Sequence, residues 1–322
     1  MSRTEQSSTD WRDAIYPVLA IDQAYANPKR HDVVDFNSVT EHNRTYQSYK
    51  AGGYLLPNDA QEHQRLDIQH TCTVALLDDK LALAPLENPK TVLDLGTGTG
   101  VWAIEFAKQN PEANVIGTDL SEVQPANDVA NCTFIKEDIE HDRWSHTCLF
   151  DYIHVRFTVT CFSNITPILA KIYDHLEPGG WVEFQENTGE VLSTDGSTDG
   201  SDMETLSNAL MKGLSVMGKD PTWIGTLSER LAKQGFTEIT EKIMPFPIGG
   251  WPRDPKFKEV GESMVPVILM AMGAALKLVL ASGWSQVDAE AAYAKAREEL
   301  QSNRIHAFMP LYVVYARKPN NS

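Results

Sequence analysis

The stretch Thr91-Val-Leu-Asp-Leu-Gly-Thr-Gly-Thr-Gly100 limits what this chain can fold into more than any other. An apolar run from Thr91 to Leu95, around Asp94, leads into glycines at alternate positions, Gly96, Gly98 and Gly100. Val101, Ile104 and Phe106 then recur at helical spacing. The order predicts a strand, a tight glycine turn and a helix. Glycine tolerates positive φ and carries no Cβ, so a ligand can approach the backbone of such a turn closely. The helix start adds free N–H groups and a positive dipole end.

A dinucleotide fingerprint is spaced G-x-G-x-x-G. Here the spacing is G-x-G-x-G, preceded by Asp94. Asn114 to Thr118 reads as a second apolar strand ending at Asp119, 19 residues beyond Gly100. That is where a ribose-binding acid belongs in a nucleoside-binding βαβ unit. A third strand-like run, Cys132 to Ile139, carries Asp138 near its end. Asp94-x-Gly-x-Gly-x-Gly, then Asp119, then Asp138, resembles the class I S-adenosylmethionine (SAM)-dependent methyltransferases. The resemblance implies that the glycine loop borders the methionine part of SAM, that Asp119 holds the ribose hydroxyls and that Asp138 meets the adenine amino group.

The chain has 322 residues, enough for a full core and more than a minimal doubly wound domain. One catalytic domain with an added cap is expected. The formal net charge is −16, from 44 acids against 28 bases, with no basic run. A surface that neutralises phosphates needs clustered Lys and Arg, so nucleic acid is not the expected partner. Cys72, Cys132, Cys148 and Cys161 lack C-x-x-C spacing and read as reduced intracellular thiols, neither a disulfide frame nor a metal site. The polar N-terminus has no apolar signal-peptide core. Met264 to Trp284 is the most apolar segment, but Pro266 and Lys277 interrupt it. Its unbroken run falls short of the about 18–20 residues of a membrane span. A buried cap helix or a homodimer-interface helix is the better reading, with no membrane partner and a cytoplasmic location.

The pattern divides the chain in order. Residues 1–43 read as an N-terminal arm, in which Trp11, Ile15, Val18 and Leu19 offer one short apolar face broken by Pro17. Residues 44–90 read as a helical lid. Its helix is capped by Asn58 or Asp59, with Gln61 or Glu62 as capping-box partner, and runs to about Leu83 before Pro85 and Pro89. Residues 91–186 alternate as a Rossmann-like core, with a fourth strand at 150–157, a helix from Ile165 to Leu176 and a fifth strand at 181–186 after a Glu-Pro-Gly-Gly turn. Residues 187–220 form a first cap insertion. Its acid-rich loop at 195–202 lacks the EF-hand ligand period and reads as solvated. Residues 221–248 continue the core with a helix and a sixth strand. Residues 249–306 form a second cap insertion, with one helix over Met264–Trp284 and another from about Gln286 to Leu300. Residues 307–318 give a last strand, returning by a long connection. The fold class expected is α/β: a Rossmann-like, seven-stranded, mostly parallel sheet with an antiparallel last strand, N-terminal helices and a helical cap.

Further stretches narrow the resemblance. Tyr54-Leu-Leu-Pro-Asn-Asp59, Phe150-Asp-Tyr-Ile-His-Val-Arg156, Gly180-Trp-Val-Glu-Phe-Gln-Glu186 and Trp251-Pro-Arg-Asp-Pro255 are similar to the fungal LaeA-like methyltransferases, which include tailoring enzymes of secondary-metabolite pathways and regulators. Over residues 44–318 this likeness implies cofactor contacts at Gly96, Thr97, Gly98, Asp119, Leu120, Asp138 and Ile139, helped by Tyr46, Gln124 and Arg156. S-adenosylhomocysteine (SAH) would be the product.

Methyl transfer from a sulfonium is an in-line displacement that needs alignment and exclusion of water, and neither a metal nor a triad. Glu186, at the end of the fifth strand, is a candidate base or amine-steering charge, or a residue that fixes the neighbouring turn. His306 is a second catalytic candidate. His154 reads as a satisfied core histidine. Trp223, Trp251 and Met264 are candidates for an apolar acceptor pocket or for cap core. The expected function is methylation of a small-molecule secondary metabolite, at oxygen by preference. The alternatives are a nuclear LaeA-like regulator acting through protein partners, and a methyltransferase fold reused for a non-methylating rearrangement.

Overall fold

The computed structural model describes residues 38–41, 44–47, 55–126, 128–141, 143–144 and 146–320. The arm at 1–43 therefore lies outside the described residues except for 38–41, and so does its Trp11–Leu19 face.

Strands β1 (Ser38–Glu41) and β2 (Arg44–Gln47) form an antiparallel hairpin. Helix α1 (Ala60–Leu76) follows, capped by Asp59, which accepts from Glu62 N at 3.0 Å. The carboxylate of Glu62 does not return to the cap. It turns along the helix to Arg65 at 2.7 Å. The helix is shorter than the sequence suggests. It stops at Leu76 because Asp78 and Asp79 take left-handed φ of 57° and 60°, a region open to Asp with its short polar side chain. Lys256 Nζ covers the freed Leu76 carbonyl at 3.2 Å.

The core alternates as its apolar runs dictate: β3 (Thr91–Leu95), α2 (Val101–Gln109), β4 (Asn114–Asp119), β5 (Cys132–Lys136), β6 (Phe150–Arg156), α3 (Ile165–His175) and β7 (Leu176–Glu186). β7 begins before the expected turn. Leu176 pairs with Phe150 and a register shift absorbs the glycines, with Gly179 at φ +84° donating to Lys318 O. Helix α4 (Asp202–Val216) is the first cap element, and α5 (Leu227–Gln234) and β8 (Thr237–Pro247) return to the core. The apolar Met264–Trp284 segment is not one helix. Asp254 caps and Pro255 starts α6 (Pro255–Ala274) well upstream, and α7 (Leu276–Ala281) is a separate short helix. Gly273 weakens the last turn of α6. Helix α8 (Gln286–Gln301) and strand β9 (Phe308–Arg317) complete the chain.

The seven-stranded sheet runs β5-β4-β3-β6-β7-β9-β8. Strands β3 to β7 pair in parallel, and β9 is antiparallel to both β7 and β8. This is the arrangement that the alternating pattern and the late return of the last strand predict. Strand side chains alternate between two layers. Leu93, Leu95, Ile153, Val155, Val182 and Phe184 face α3 and α5. Val92, Val115, Tyr152 and Trp181 face α2. Burying each of these side chains contributes about 1.5–3 kcal/mol. A third cluster joins α1, α4, α6 and α8 to the ends of β8 and β9, so the cap is fixed to one side of the sheet.

The chain steps outward from β3 to β4 and β5, then crosses back to β6. That reversal opens a crevice at the carboxyl ends of the strands, where open α/β sheets bind ligands.

Candidate active site

A cavity of about 350 Å³ fills this crevice. Gly96, Thr97 and Gly98 form its floor, Asp119 and Leu120 line one side, and Asp138 and Ile139 stand beyond them. Arg156 lines the other side. Gly96 and Gly98 have φ of +69° and +55°. A Cβ on Gly96 would stand 3.1 Å from the Thr158 methyl group, so the bare turn and the turn after β6 approach closely.

The turn is braced from beneath. Asp94 accepts from Thr97 Oγ1 at 2.6 Å and from His154 Nδ1 at 2.7 Å. His154 is fully buried, stacks on Trp102 at 3.7 Å between centroids, and is held neutral by burial, which lowers its pKa. Gln124 works from behind, donating to Gly98 O at 2.7 Å and Ser121 O at 3.1 Å; it is not part of the cavity wall. Helix α1 and the residues just before it clamp the outer side. Asp67 accepts from Thr99 Oγ1 at 2.6 Å, and Asn58 donates to Ser121 Oγ at 3.1 Å.

The Asp119 carboxylate accepts from Gly98 N and Ser121 N, both at 2.9 Å. Its burial at the cavity wall raises its pKa to about 6, against those two hydrogen bonds. Asp138 accepts from Glu140 N at 3.0 Å and His141 N at 2.9 Å. Carboxylates at the ends of β4 and β5, a glycine-rich turn at the end of β3 and a guanidinium at the end of β6 form a donor and acceptor set that fits SAM. The acids suit a ribose diol and an adenine amine, and the guanidinium suits a carboxylate.

A second cavity of about 180 Å³ lies under the cap. Met264, Val267, Ile268 and Leu278 line it from α6 and α7, and Met203, Leu206 and Leu210 from α4. Its polar lining includes Arg65, Gln69, Thr160 and Asn187. Phe157 lines both cavities. Its φ is +54°, unusual for a bulky residue, and its N–H donates to Gln185 O at 3.2 Å.

The other sequence candidates are scattered. Glu186 is fully buried and belongs to neither cavity wall, and its carboxylate accepts from Thr158 N at 2.9 Å, Thr158 Oγ1 at 2.6 Å and Val159 N at 3.2 Å. Burial raises its pKa to about 7. His306 stands at the surface, with Nδ1 2.5 Å from Asp195 Oδ2 and its ring on Trp251. Trp251 donates from Nε1 to Ala307 O at 2.9 Å, and Trp223 packs on Phe162 and Phe184 in the main core. Neither tryptophan borders the cap cavity, whereas Met264 does. Tyr46 is buried on β2 under Lys277 Nζ, apart from both walls. Arg65, Gln69, Phe157, Thr160 and Asn187 were not singled out by sequence. The spacing of Glu62, Arg65, Gln69 and His70 along one helix was the available signal.

A methyltransferase-domain family model matches residues 67–240. The methyltransferase pytC of Aspergillus terreus is 34% identical over 284 residues, covering 87% of each chain. LaeA of Emericella nidulans, described both as a secondary metabolism regulator and as a protein-methionine methyltransferase, is 31% identical over 296 residues, covering 87% of this chain and 76% of its own. Phosphoethanolamine N-methyltransferase 2 of Haemonchus contortus, solved with S-adenosyl-L-methionine, aligns at 19% identity with a TM-score of 0.45. The alignment covers 80% of this chain and 52% of that one, so this chain spans about half its length. With a family model over more than half its length and fungal relatives above 30% identity across most of it, the chain belongs to the class I SAM-dependent methyltransferases, in the LaeA-like family.

Proposed function

We propose that this methyltransferase transfers a methyl group to an oxygen of a small, largely apolar secondary metabolite held under the cap. The reading is carried by one observation: the largely aliphatic second cavity and the cofactor cavity share Phe157 as a wall. SAM supplies an electrophilic methyl group on a positively charged sulfur. The chain's part is to align and to exclude water. Met203, Leu206, Met264 and Leu278 give the acceptor an apolar, adaptable wall. Arg65, Gln69, Thr160 and Asn187 orient its polar end.

A phenol, enol or carboxylic acid ionises readily enough to need little help from a base. That suits a site where Glu186 is committed to the turn of Thr158 and His306 lies outside both cavities. The similarity to pytC, named a methyltransferase, supports an enzymatic role, and the absence of a basic run agrees with a cytoplasmic one. No helix among the described residues is long and apolar enough to cross a membrane.

The test is incubation of the protein with methyl-labelled SAM and a metabolite extract of its source, followed by mass spectrometry. The expected result is a labelled small molecule heavier by one CH₂, with the label on oxygen. Label found only on protein would overturn the reading, as would SAH binding without transfer to any compound.

A further inference from the structure

Arg156 ends β6, and its neighbour Val155 is in register with Leu95 on β3. The Arg156 backbone is thus level with Gly96, on the far side of the glycine loop from Asp119 and Asp138 in the sheet order. If the nucleoside lies toward the two acids, Arg156 stands at the amino-acid end of the cavity.

Its guanidinium has no carboxylate partner among the described residues. The nearby acids are otherwise engaged: Asp94 by Thr97 and His154, Glu186 by Thr158 and Val159. Among the described residues, the one side-chain hydrogen bond of Arg156 runs from Nη2 to Nδ1 of His70, at 2.8 Å. His70 is buried on α1, and its Nε2 lies 2.9 Å from Oε2 of Glu105 on α2. A guanidinium can only donate, so Nδ1 must accept and the ring proton must sit on Nε2, donating to Glu105. Three elements, α2, α1 and β6, thereby fix one nitrogen of Arg156, and the residue lines the cavity.

We infer that the buried pair His70–Glu105 is a positioning device, which holds the guanidinium of Arg156 in place for the α-carboxylate of the cofactor. The pair touches no ligand; it acts through Arg156. The inference rests on the SAM site and not on the identity of the acceptor.

The test compares two ligands by calorimetry. SAH carries the carboxylate; 5′-methylthioadenosine keeps the nucleoside and thioether but lacks the amino-acid end. Arg156→Met is expected to weaken SAH about 10- to 100-fold, the range for a lost charge-assisted pair, and to change 5′-methylthioadenosine less than about threefold. His70→Ala is expected to reproduce a smaller, equally selective loss, and to add nothing once Arg156 is Met. Equal losses for both ligands would overturn the inference, as would a His70→Ala effect that persists in the Arg156→Met background. Should His70→Ala fail to fold, Glu105→Ala, at a more exposed position, is read in the same way. Retained binding of 5′-methylthioadenosine certifies a folded nucleoside site in every variant.

Discussion

Glu186 grips Thr158 twice, accepting from its backbone N–H at 2.9 Å and from its hydroxyl at 2.6 Å. The carboxylate is fully buried, and burial raises its pKa to about 7. A folded-state pKa above the ordinary 4.5 means that the folded form binds this proton more tightly. The contribution to stability is therefore fully present below about 4.5 and is lost as pH rises through about 7. Glu186→Gln removes that pH dependence. It also leaves one of the converging N–H donors facing an amide, at a cost of about 1–3 kcal/mol. Thermal unfolding across this pH window checks both effects. SAH affinity is expected to change little; a fall in kcat of about 10²- to 10⁴-fold at unchanged stability would instead make Glu186 a base.

Asp119 gives the opposite pH dependence for ligand binding. Its pKa is raised to about 6, chiefly by burial. Ribose hydroxyls donate to the ionised form, so SAH affinity is expected to fall as pH drops through about 6. Asp119→Asn sets an amide against Gly98 N or Ser121 N and is expected to weaken SAH about 10- to 100-fold. Calorimetric titration in a pH series decides; a flat profile contradicts the assignment of Asp119 to the ribose.

Helix α4 reaches α7 at Gly213, where a Cβ would stand 1.9 Å from Leu278 O. Gly213→Ala must push these helices apart, and Leu214 and Leu278 both line the cap cavity. Overpacking of this kind costs about 1–3 kcal/mol. The expected outcome is lost transfer to the acceptor with SAH affinity retained, because the cofactor cavity shares no wall with this contact. Loss of SAH binding in a folded protein would show that the two cavities are not separable.

His306 pairs with Asp195, whose carboxyl is held down to about 2 by hydrogen bonds from Ser197 and then by His306. Both side chains are partly exposed and border neither cavity. His306→Ala is expected to alter stability by about 0.5 kcal/mol or less, and to leave turnover unchanged. A large fall in kcat would bring His306 back as a catalytic residue.

The sheet was legible because its strands are contiguous apolar runs punctuated by glycine, proline and acids. That Gly96, Gly98, Asp119 and Asp138 line one cavity was legible for the same reason: they sit at strand ends, where sequence order determines position. Helix α1 was harder. Glu62, Arg65, Gln69 and His70 look like a solvated helix face, yet all are buried, because α1 lies between α6, from a distant part of the chain, and the β6–α2 side of the cofactor site, where His70 meets Arg156 and Glu105. Aromatic character misled in the cap. Trp223 and Trp251 suit a ligand pocket by composition, but tertiary packing places one in the main core and the other against His306. No local pattern marks Phe157 as the shared wall, since its role depends on where two separate insertions come to rest.

Those insertions leave the sheet from β7, β8 and β9, while the glycine turn and its acids belong to β3, β4 and β5. On the proposed reading, donor and acceptor recognition are thus carried by different strands, with Phe157 lining both cavities. Sequence drift in α4 or α7 is then expected to reshape the proposed acceptor chamber without disturbing the cofactor cradle, whereas α6 also packs on α1, which braces the glycine turn. The architecture is in effect a fixed socket with an exchangeable head, and grafting a relative's cap between β7 and β9 is a direct route to changing what the enzyme methylates.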